Sequence, residues 1–542
     1  MIPKHEIDGA RMMADLAAIA PFVKLSGTAE ERRSLDIIRA AMDAAGFRTQ
    51  VIEHDAWISL PGPARVVAGN TTLTAITHSM SLSSPPSGAT APLLDVGPLP
   101  GKAPLPPEAK GRILLVDGMA TPAAAAVASQ AGALGTLHIS PHEHLHEMCI
   151  SPVWGSPSTE TAGSLPTTIA CTVSLADGTA LRERLKAGEA LTVTLHAEVD
   201  TGWRKTPILV CDLDAPGADG NTPFVLLSGH HDTWYEGVMD NGSANIGMVE
   251  TARICAAHRD AWRRSLRVCF WSGHSHGRYS SSSWYADEHW MELEARCAAH
   301  VNTDSLGGIG ATVLSNAAAM PALKALAAEA VAAEGQPYAG KRKTRNSDES
   351  FGGIGIASMF GSISSQPPGG VKIRNELGWW WHTPHDRIDK VDRANLERDT
   401  RVLLHATWRL LADAVLPLDN AAHAADLLAA LDPLVAPCAA RGLRLDPVVA
   451  VAEAVRDAAS GATSDHARMR ASRALVAIDD GAGERFAHLP ALPQPVWAVL
   501  EPLRGLAAAE PDSQAARLAL VSARRARNRV LRALADAAAA LA

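Results

Sequence analysis

Short apolar runs alternate along the middle of the chain with segments whose apolar residues recur at helical spacing. Between residues 200 and 415 the runs predict four buried strands, each followed by an amphipathic helix. The strands are expected at 224–229, 266–271, 299–304 and 356–361, and the helices at 243–257, 283–295, 320–334 and 393–413. Strands that alternate with helices predict a doubly wound, mostly parallel α/β sheet covered on both faces.

The flanking segments have different patterns. Residues 8–47 predict two helices, the second capped by Thr28, and a strand follows at 48–53. From residue 58 onward, Pro- and Gly-rich turns separate short apolar runs, which is typical of β structure. Beyond residue 416 the sequence is rich in Ala, Leu and Arg and predicts five helices. We predict an α/β domain (1–57 and 200–415), a β-rich insert (58–199) and a C-terminal helical bundle (416–542).

Composition and charge limit the kinds of molecule that this protein is expected to bind. The 542 residues carry a formal charge of −8, which argues against a nucleic-acid-binding protein. No apolar run reaches the roughly 18 residues of a membrane helix, and the first residues lack the apolar core of a secretory signal. The seven cysteines are scattered, which argues against a disulfide framework. We expect a cytoplasmic protein that acts on a small molecule or short peptide and forms a homo-oligomer through its helical bundle.

Polar side chains follow the predicted strands where each strand ends. His230 and Asp240 come after the first strand, Asp304 closes the third, and His382 precedes the last helix of the domain. The carboxyl ends of parallel strands meet at one edge of a sheet, so these side chains can converge. Imidazole and carboxylate are ligands for a zinc-like ion, and Asp232 could accept the second ring N–H of His230.

The order of these motifs along the chain is similar to that in a known protein family. The motifs are His230-x-Asp232, Asp240-Asn-x-Ser, Asn302-x-Asp304, Asn346-Ser-Asp348 and His382-Thr-Pro-x-Asp386. They resemble those of the di-zinc aminopeptidase and glutamate-carboxypeptidase family over residues 8 to about 415. The insert is similar to the protease-associated domain of that family, and the helical bundle is similar to its dimerisation domain. The resemblance implies one or two divalent ions, with zinc as the first expectation.

The same resemblance assigns roles to individual residues. His230 and Asp304 would bind one ion, His382 would bind the other, and Asp240 would bridge them. Asp232 would orient His230. The expected activity is the metal-dependent hydrolysis of an amide bond in a small peptide or N-acyl amino acid.

The chain departs from the family in its middle motif. Where family members carry Glu-Glu, as general base and metal ligand, this sequence has His274 and Ser275. His274 could replace the base. It could instead become a ligand in the site of His382, which would give an imidazole-rich set compatible with Zn, Fe, Ni or Mn. A third alternative is an inactive binding or scaffold protein, and a fourth is a metal-dependent lyase or cyclase of the same fold.

Further residues are candidates for substrate binding. Trp234, Tyr235 and Trp381 could wall an apolar pocket. Arg278, Arg374 and Arg387 could pair with a substrate carboxylate, with Arg278 as the first choice. A histidine-rich tract lies at 138–147. No acidic or cysteine residue follows it at a spacing that would complete a metal site, so we predict that the tract contacts substrate and holds no ion.

Overall fold

The structure is a computed structural model that describes residues 2–314, 316–343, 345–369 and 376–542. Its strands form one mixed sheet in the order β1-β2-β6-β5-β4-β3-β7-β9-β8-β10-β11. The strands are β1 (Arg48–Ala68), β2 (Thr71–Thr77), β3 (Ala89–Pro98), β4 (Ile113–Asp117), β5 (Gly135–Ile139), β6 (Ile169–Val173), β7 (Thr192–Leu213), β8 (Phe224–His230), β9 (Ser265–Trp271), β10 (Cys297–Thr303) and β11 (Ser358–Gly361).

Helices cover this sheet and continue beyond it into the C-terminal part of the chain. They are α1 (Gly9–Ile19), α2 (Ala29–Ala44), α3 (Pro122–Gln130), α4 (Leu175–Lys186), α5 (Ala244–Ala257), α6 (Ser280–Glu288), α7 (Trp290–Arg296), α8 (Lys324–Ala332), α9 (Arg393–Ala412), α10 (Asn420–Ala439), α11 (Asp446–Gly461), α12 (Asp465–Asp480), α13 (Glu501–Ala508) and α14 (Gln514–Leu541). None of the helices in the described ranges is long and apolar enough to cross a membrane.

The doubly wound core is confirmed. Strands β9, β8, β10 and β11 lie side by side and run parallel. Every residue of β8 and β10 is buried, as expected for strands covered on both faces. Asn302 of β10 pairs with Ser228 of β8, so both strands end at the same edge of the sheet. The loops that follow them therefore meet there.

Two long strands run through the predicted boundaries of the insert. β1 and β7 pair antiparallel from Arg48 opposite Asp212 to Ala68 opposite Val193, so no linker interrupts the chain near residues 57 or 200. The Pro61-Gly62-Pro63 sequence lies within β1 and shifts the register between Pro61 and Ala64, as proline and glycine do at a bulge. The division into three domains stays a prediction.

Separate hydrophobic cores nevertheless exist. One buried cluster draws only on residues between Val66 and Ala197, and another only on residues between Ala424 and Ala537. The main cluster joins α1, α2, α5 and α9 to the parallel strands. The insert holds more structure than its pattern indicated, because β3, β5, β6 and α4 were not predicted. The helix expected at 283–295 is divided at His289 into α6 and α7.

Candidate metal centre

His230 is the last residue of β8 and faces two carboxylates. Its Nε2 lies 3.2 Å from Asp240 Oδ1 and 3.8 Å from Asp304 Oδ1. Its Nδ1 lies 2.8 Å from the backbone carbonyl oxygen of Asp232, whereas the nearer carboxylate oxygen of Asp232 is 4.0 Å away. Asp232 therefore does hold the ring, but through its main chain. With Nδ1–H donating to that carbonyl, Nε2 presents its lone pair to the site.

Asp240 lies between two histidines. Its Oδ1 faces His230, and its Oδ2 lies 3.1 Å from His382 Nε2. His382 Nδ1 lies 2.7 Å from the carbonyl oxygen of Glu147, which leaves Nε2 as the free ring nitrogen. The loop carrying Asp240 is held by Asp386, whose carboxylate accepts from the backbone N–H of Met239 and of Asp240 at 2.8 and 3.0 Å. One carboxylate with a histidine at each oxygen has the arrangement of a bridging ligand.

Asp304 follows β10 and is fixed by two hydroxyl groups. Ser305 Oγ donates to Oδ1 at 2.8 Å, and Ser347 Oγ donates to Oδ2 at 2.9 Å. The backbone at Ser305 is left-handed, with φ of 53°, a conformation that a non-glycine residue adopts at some energetic cost. The Asn241 side-chain oxygen accepts from the Ser305 N–H at 2.9 Å. These bonds tie the end of β10 to the loop after β8.

His274 joins this cluster and contacts Asp348, a residue of the Asn346-Ser-Asp348 motif to which the sequence assigned no role. Its Nδ1 lies 2.8 Å from Oδ2 of Asp348, which is fully buried. Its ring stacks on that of His230, with centroids 3.7 Å apart and planes 14° apart. One ligand atom from each of His230, His274 and Asp304 lies within 4.8 Å of the others. His274 thus stands where a ligand of the His230 ion would stand, rather than in a site with His382 alone.

The loop after β9 is anchored by Asp232. The Asp232 carboxylate accepts from the backbone N–H of His274 at 3.1 Å and of Ser275 at 2.9 Å. Ser26 Oγ also donates to it at 2.8 Å. His276 points away from the cluster, with its Nδ1 2.9 Å from Ser26 Oγ. The Asp232 side chain therefore sets the position of His274, which is a different role from the one predicted.

The residues fit a divalent cation. His230 Nε2 and Asp240 Oδ1 are buried and form no hydrogen bond with the described part of the chain, although buried polar atoms are normally paired. Burial disfavours a charged His230, yet its contacts with Asp240 and Asp304 raise its pKa well above the usual value. The carboxylates of Asp240, which is buried, and Asp304, which is 19% exposed, thus attract positive charge to the Nε2 atom of His230. Nitrogen and carboxylate donors of this kind suit zinc, iron, nickel or manganese.

A cavity of about 140 Å³ opens beside the cluster. Trp234 and Trp381 line it, together with Ser275, Tyr279 and Arg278. Trp381 also stacks on His382 with ring centroids 3.5 Å apart. Tyr235 is absent from the described lining residues; its hydroxyl donates to Glu147 Oε1 at 2.8 Å.

Of the other two predicted carboxylate-binding arginines, the one that the structure describes does not line the cavity. Arg387 lies 3.4 Å from Glu236 Oε1 with an exposed side chain, and Arg374 lies outside the described residues. Arg278 is therefore the predicted carboxylate-binding arginine that the structure brings to the cavity.

The comparisons with known proteins agree with this geometry. Residues 212–407 match the model of peptidase family M28. We call this segment the M28 domain, after the family that it resembles. It contains β8 to β11 and all five candidate ligands, so the predicted family resemblance is confirmed.

Relatives of the M28 domain are distant. Over 223 residues the chain is 26% identical to a probable glutamate carboxypeptidase, VP8, of Zea mays, covering 38% of this chain and 31% of that protein. A second match, the probable glutamate carboxypeptidase LAMP1 of Arabidopsis thaliana, is 30% identical over 84 residues, which are 15% of this chain and 12% of the relative. The chain thus spans about a third or less of the length of these curated relatives.

Solved structures extend the likeness of the fold beyond the M28 domain. The zinc aminopeptidase BSAP of Bacillus subtilis superposes with a TM-score of 0.58 at 19% identity, covering 76% of this chain and 97% of that one. A peptidase M28 precursor from Shewanella amazonensis gives a TM-score of 0.60 at 16% identity, covering 75% and 94%.

The histidine-rich tract docks onto the M28 domain next to His382. Glu147 N–H donates to the His382 carbonyl at 3.1 Å, and the Nε2 atoms of His142 and His146 lie 2.9 Å apart. One ligand atom each of His142, Glu143 and His144 also lies within 4.8 Å of the others. His142 uses both ring nitrogens, because its Nδ1 accepts from the His144 N–H at 3.1 Å. That the tract holds no ion stays a prediction.

Asp348 is expected to act through His274. We predict that Asp348→Asn lowers both metal affinity and activity by about 10- to 100-fold, because outer partners of metal-binding histidines typically contribute that much. The amide keeps the size of the carboxylate but loses its charge. Titration with a competing metal chelator, read beside kcat, measures the effect. Unchanged metal affinity in a folded Asp348→Asn protein would show that the 2.8 Å contact with His274 does not position a ligand.

Proposed function

We propose that this protein is a metal-dependent hydrolase that cleaves an amide bond of a small peptide or N-acyl amino acid. The observation that carries the proposal is the convergence of His230, Asp240, Asp304 and His382 in the M28 domain, beside a cavity lined by Arg278. A divalent ion held there would supply a Lewis acid for the scissile carbonyl and activate water. The cytoplasmic location and the association of chains through the helical region stay predictions.

The ligand set favours one tightly held ion. His230, His274, Asp304 and one oxygen of Asp240 make a four-donor set of the number that zinc prefers. The remaining position has His382 and the second oxygen of Asp240, and Ser275 replaces the carboxylate that the family resemblance implies there. A serine hydroxyl is a much weaker ligand than a carboxylate, so a second ion would be held less firmly.

We assign substrate binding to residues that face the cavity. Arg278 would hold a substrate carboxylate, and Trp234 and Trp381 would pack against its apolar part. The Ser275 hydroxyl is buried, lines the cavity and forms no hydrogen bond among the described residues, so it can donate to a substrate oxygen.

A specific feature favours a second candidate, a metal-dependent lyase or cyclase. The carboxylates among the described cavity-lining residues are Asp240 and Asp304, and both are candidate ligands. His274 is engaged by Asp348 on one nitrogen and groups with the ligands. The general base that hydrolysis in this family would use therefore has no carboxylate counterpart here.

Isotope labelling of the product distinguishes the two functions. The metal-loaded protein would be incubated with dipeptides and N-acyl amino acids in ¹⁸O-water, and the products analysed by mass spectrometry. Hydrolysis places one oxygen atom from the solvent in the new carboxylate, whereas elimination or cyclisation places none. A released amine without ¹⁸O in the acid product would overturn the hydrolase and support the second candidate.

Arg278 offers a test of the substrate class. It has no ion pair within the described ranges, and its Nε is buried without a hydrogen bond. Hydrogen bonds to charged groups contribute about 1.5–3 kcal/mol, so Arg278→Ala should raise KM for a substrate with a free carboxylate by about 10- to 100-fold. Steady-state kinetics would measure this, with the methyl ester of the same substrate as control. Equal losses for the acid and the ester would contradict carboxylate binding by Arg278.

A further inference from the structure

A second cavity lies in the helical region, away from the metal centre. It has a volume of about 670 Å³ and is bounded by α12, α14 and the turn at 483–485, with Glu294 of α7 at one side. Arg473 connects this cavity to the sheet. The Arg473 guanidinium donates hydrogen bonds to the backbone carbonyl oxygens of Leu293, Gly355 and Cys297. Cys297 begins β10, whereas the candidate metal ligand Asp304 follows the other end of that strand. Seven residues of strand span roughly 23 Å, so the two cavities are separate.

The walls of this cavity are strongly cationic. Six arginines line it, against two carboxylates, Glu294 and Asp536, which gives a local formal charge of 6 − 2 = +4 in a chain of net charge −8. The arginines are Arg470, Arg473, Arg485, Arg525, Arg529 and Arg532. We call this the arginine cavity.

Several of these guanidinium groups lack an internal partner. Arg532 pairs with Asp536 at 2.6 Å, and Arg485 lies 3.8 Å from Glu294. Over the described ranges, Arg470, Arg525 and Arg529 form no ion pair. The Nε of Arg485 is buried and has no hydrogen-bond partner there. Like charges gathered in a concave surface repel one another and favour a bound anion.

Two arginines outside the cavity that are buried or largely buried, Arg264 and Arg267, are by contrast neutralised by carboxylates. Arg264 pairs with Asp465 at 2.6 Å. Arg267 lies 2.7 Å from Asp212 and 2.8 Å from Glu292. The arginine cavity is therefore distinguished from these sites by the shortage of acidic partners as well as by the number of arginines.

The shape of the cavity suits a small ligand. Its volume lies within the range of about 300–1,000 Å³ that is usual for small-molecule sites. Ala474, Ala477 and Ala533 form part of the wall, and their short side chains leave space between the guanidinium groups. Planar guanidinium groups bind phosphate through paired hydrogen bonds. Two phosphoryl groups carry roughly −3 to −4 charges at neutral pH, which matches the local charge.

We propose that the arginine cavity binds a small molecule that carries two or more phosphoryl groups. Arg525 and Arg529 of α14, with Arg470 of α12, would hold the phosphoryl oxygens, and Arg485 would add positive charge to the wall of the cavity. The proposal concerns a site apart from the metal centre and does not depend on the function proposed there.

The test is a binding titration of inorganic pyrophosphate to the chain of 542 residues at low salt. The paired variants are Arg525→Ala/Arg529→Ala in the cavity and Arg517→Ala/Arg524→Ala on the same helix. Arg517 and Arg524 are exposed and absent from the cavity lining. Both double variants remove two positive charges, so general electrostatic attraction changes equally. Any pyrophosphate that binds at the metal centre would be unaffected by either change.

We expect the cavity variant to weaken pyrophosphate binding by at least about tenfold per guanidinium, and the control variant to show only the smaller loss that comes from general electrostatic attraction. Binding should also weaken as salt is raised. Three results would overturn the proposal: no pyrophosphate binding by the wild type, equal losses in both variants, or citrate binding as tight as pyrophosphate, which would indicate a polycarboxylate ligand. Circular dichroism of both variants establishes that the helices remain folded.

Discussion

Asp240→Ala is expected to abolish activity and to weaken metal binding by more than about 100-fold. Replacement of an outer partner of a metal ligand already costs 10- to 100-fold, and Asp240 faces both His230 and His382 directly. Its removal also leaves the two imidazoles with one carboxylate fewer to attract a dication. The measurement is metal affinity by competition with a chelator, beside kcat/KM for the best substrate.

Asp389→Ala is the matched control for this substitution. Asp389 follows the His382 motif, has a side chain 65% exposed and pairs with neighbouring Lys390. It should leave metal affinity and rate unchanged. An Asp240→Ala protein with a rate within about tenfold of the wild type would exclude Asp240 as a bridging ligand.

His274→Ala should lower the rate by at least about 10²- to 10⁴-fold, the loss expected for a general base, and should also weaken metal binding. The structure favours the ligand role, because Asp348 holds one ring nitrogen of His274 and the ring stacks on His230. A base would lower the rate and leave the metal in place. The two roles therefore differ in the metal content of the variant.

His385→Ala controls for the loss of a histidine near the cavity. His385 is exposed, and its ring lies 5.4 Å from that of His144. We expect it to retain both metal and rate. A His274→Ala protein that matches His385→Ala in rate would contradict both roles for His274.

The sequence was most informative where local pattern decides the structure. The buried strands β8, β9 and β10 were predicted within two residues at either end, because apolar runs between polar loops are a local signal. Parallel strands bring their carboxyl ends together, so the approach of His230 to Asp304 follows from the predicted topology.

Contacts between residues far apart in the chain could not be predicted in this way. Asp348 lies 74 positions from His274, in a segment outside the regular helices and strands. Glu147, which holds His382, is 235 positions away and belongs to the predicted insert. Tyr235 donates to Glu147, a residue of the docked histidine-rich tract, and is absent from the described residues that line the cavity. Such contacts are set by how loops pack on one another, for which spacing along the chain carries no signal.

The most direct test of the metal centre is elemental analysis of wild-type, His274→Ala and His385→Ala proteins after dialysis against metal-free buffer. We predict that wild type and His385→Ala keep a divalent transition metal, while His274→Ala loses it together with activity. A wild-type protein that holds no such metal after loading with zinc, iron, nickel or manganese, or a His274→Ala protein that keeps its full metal content, would contradict the assignment of His274 to the ligand set.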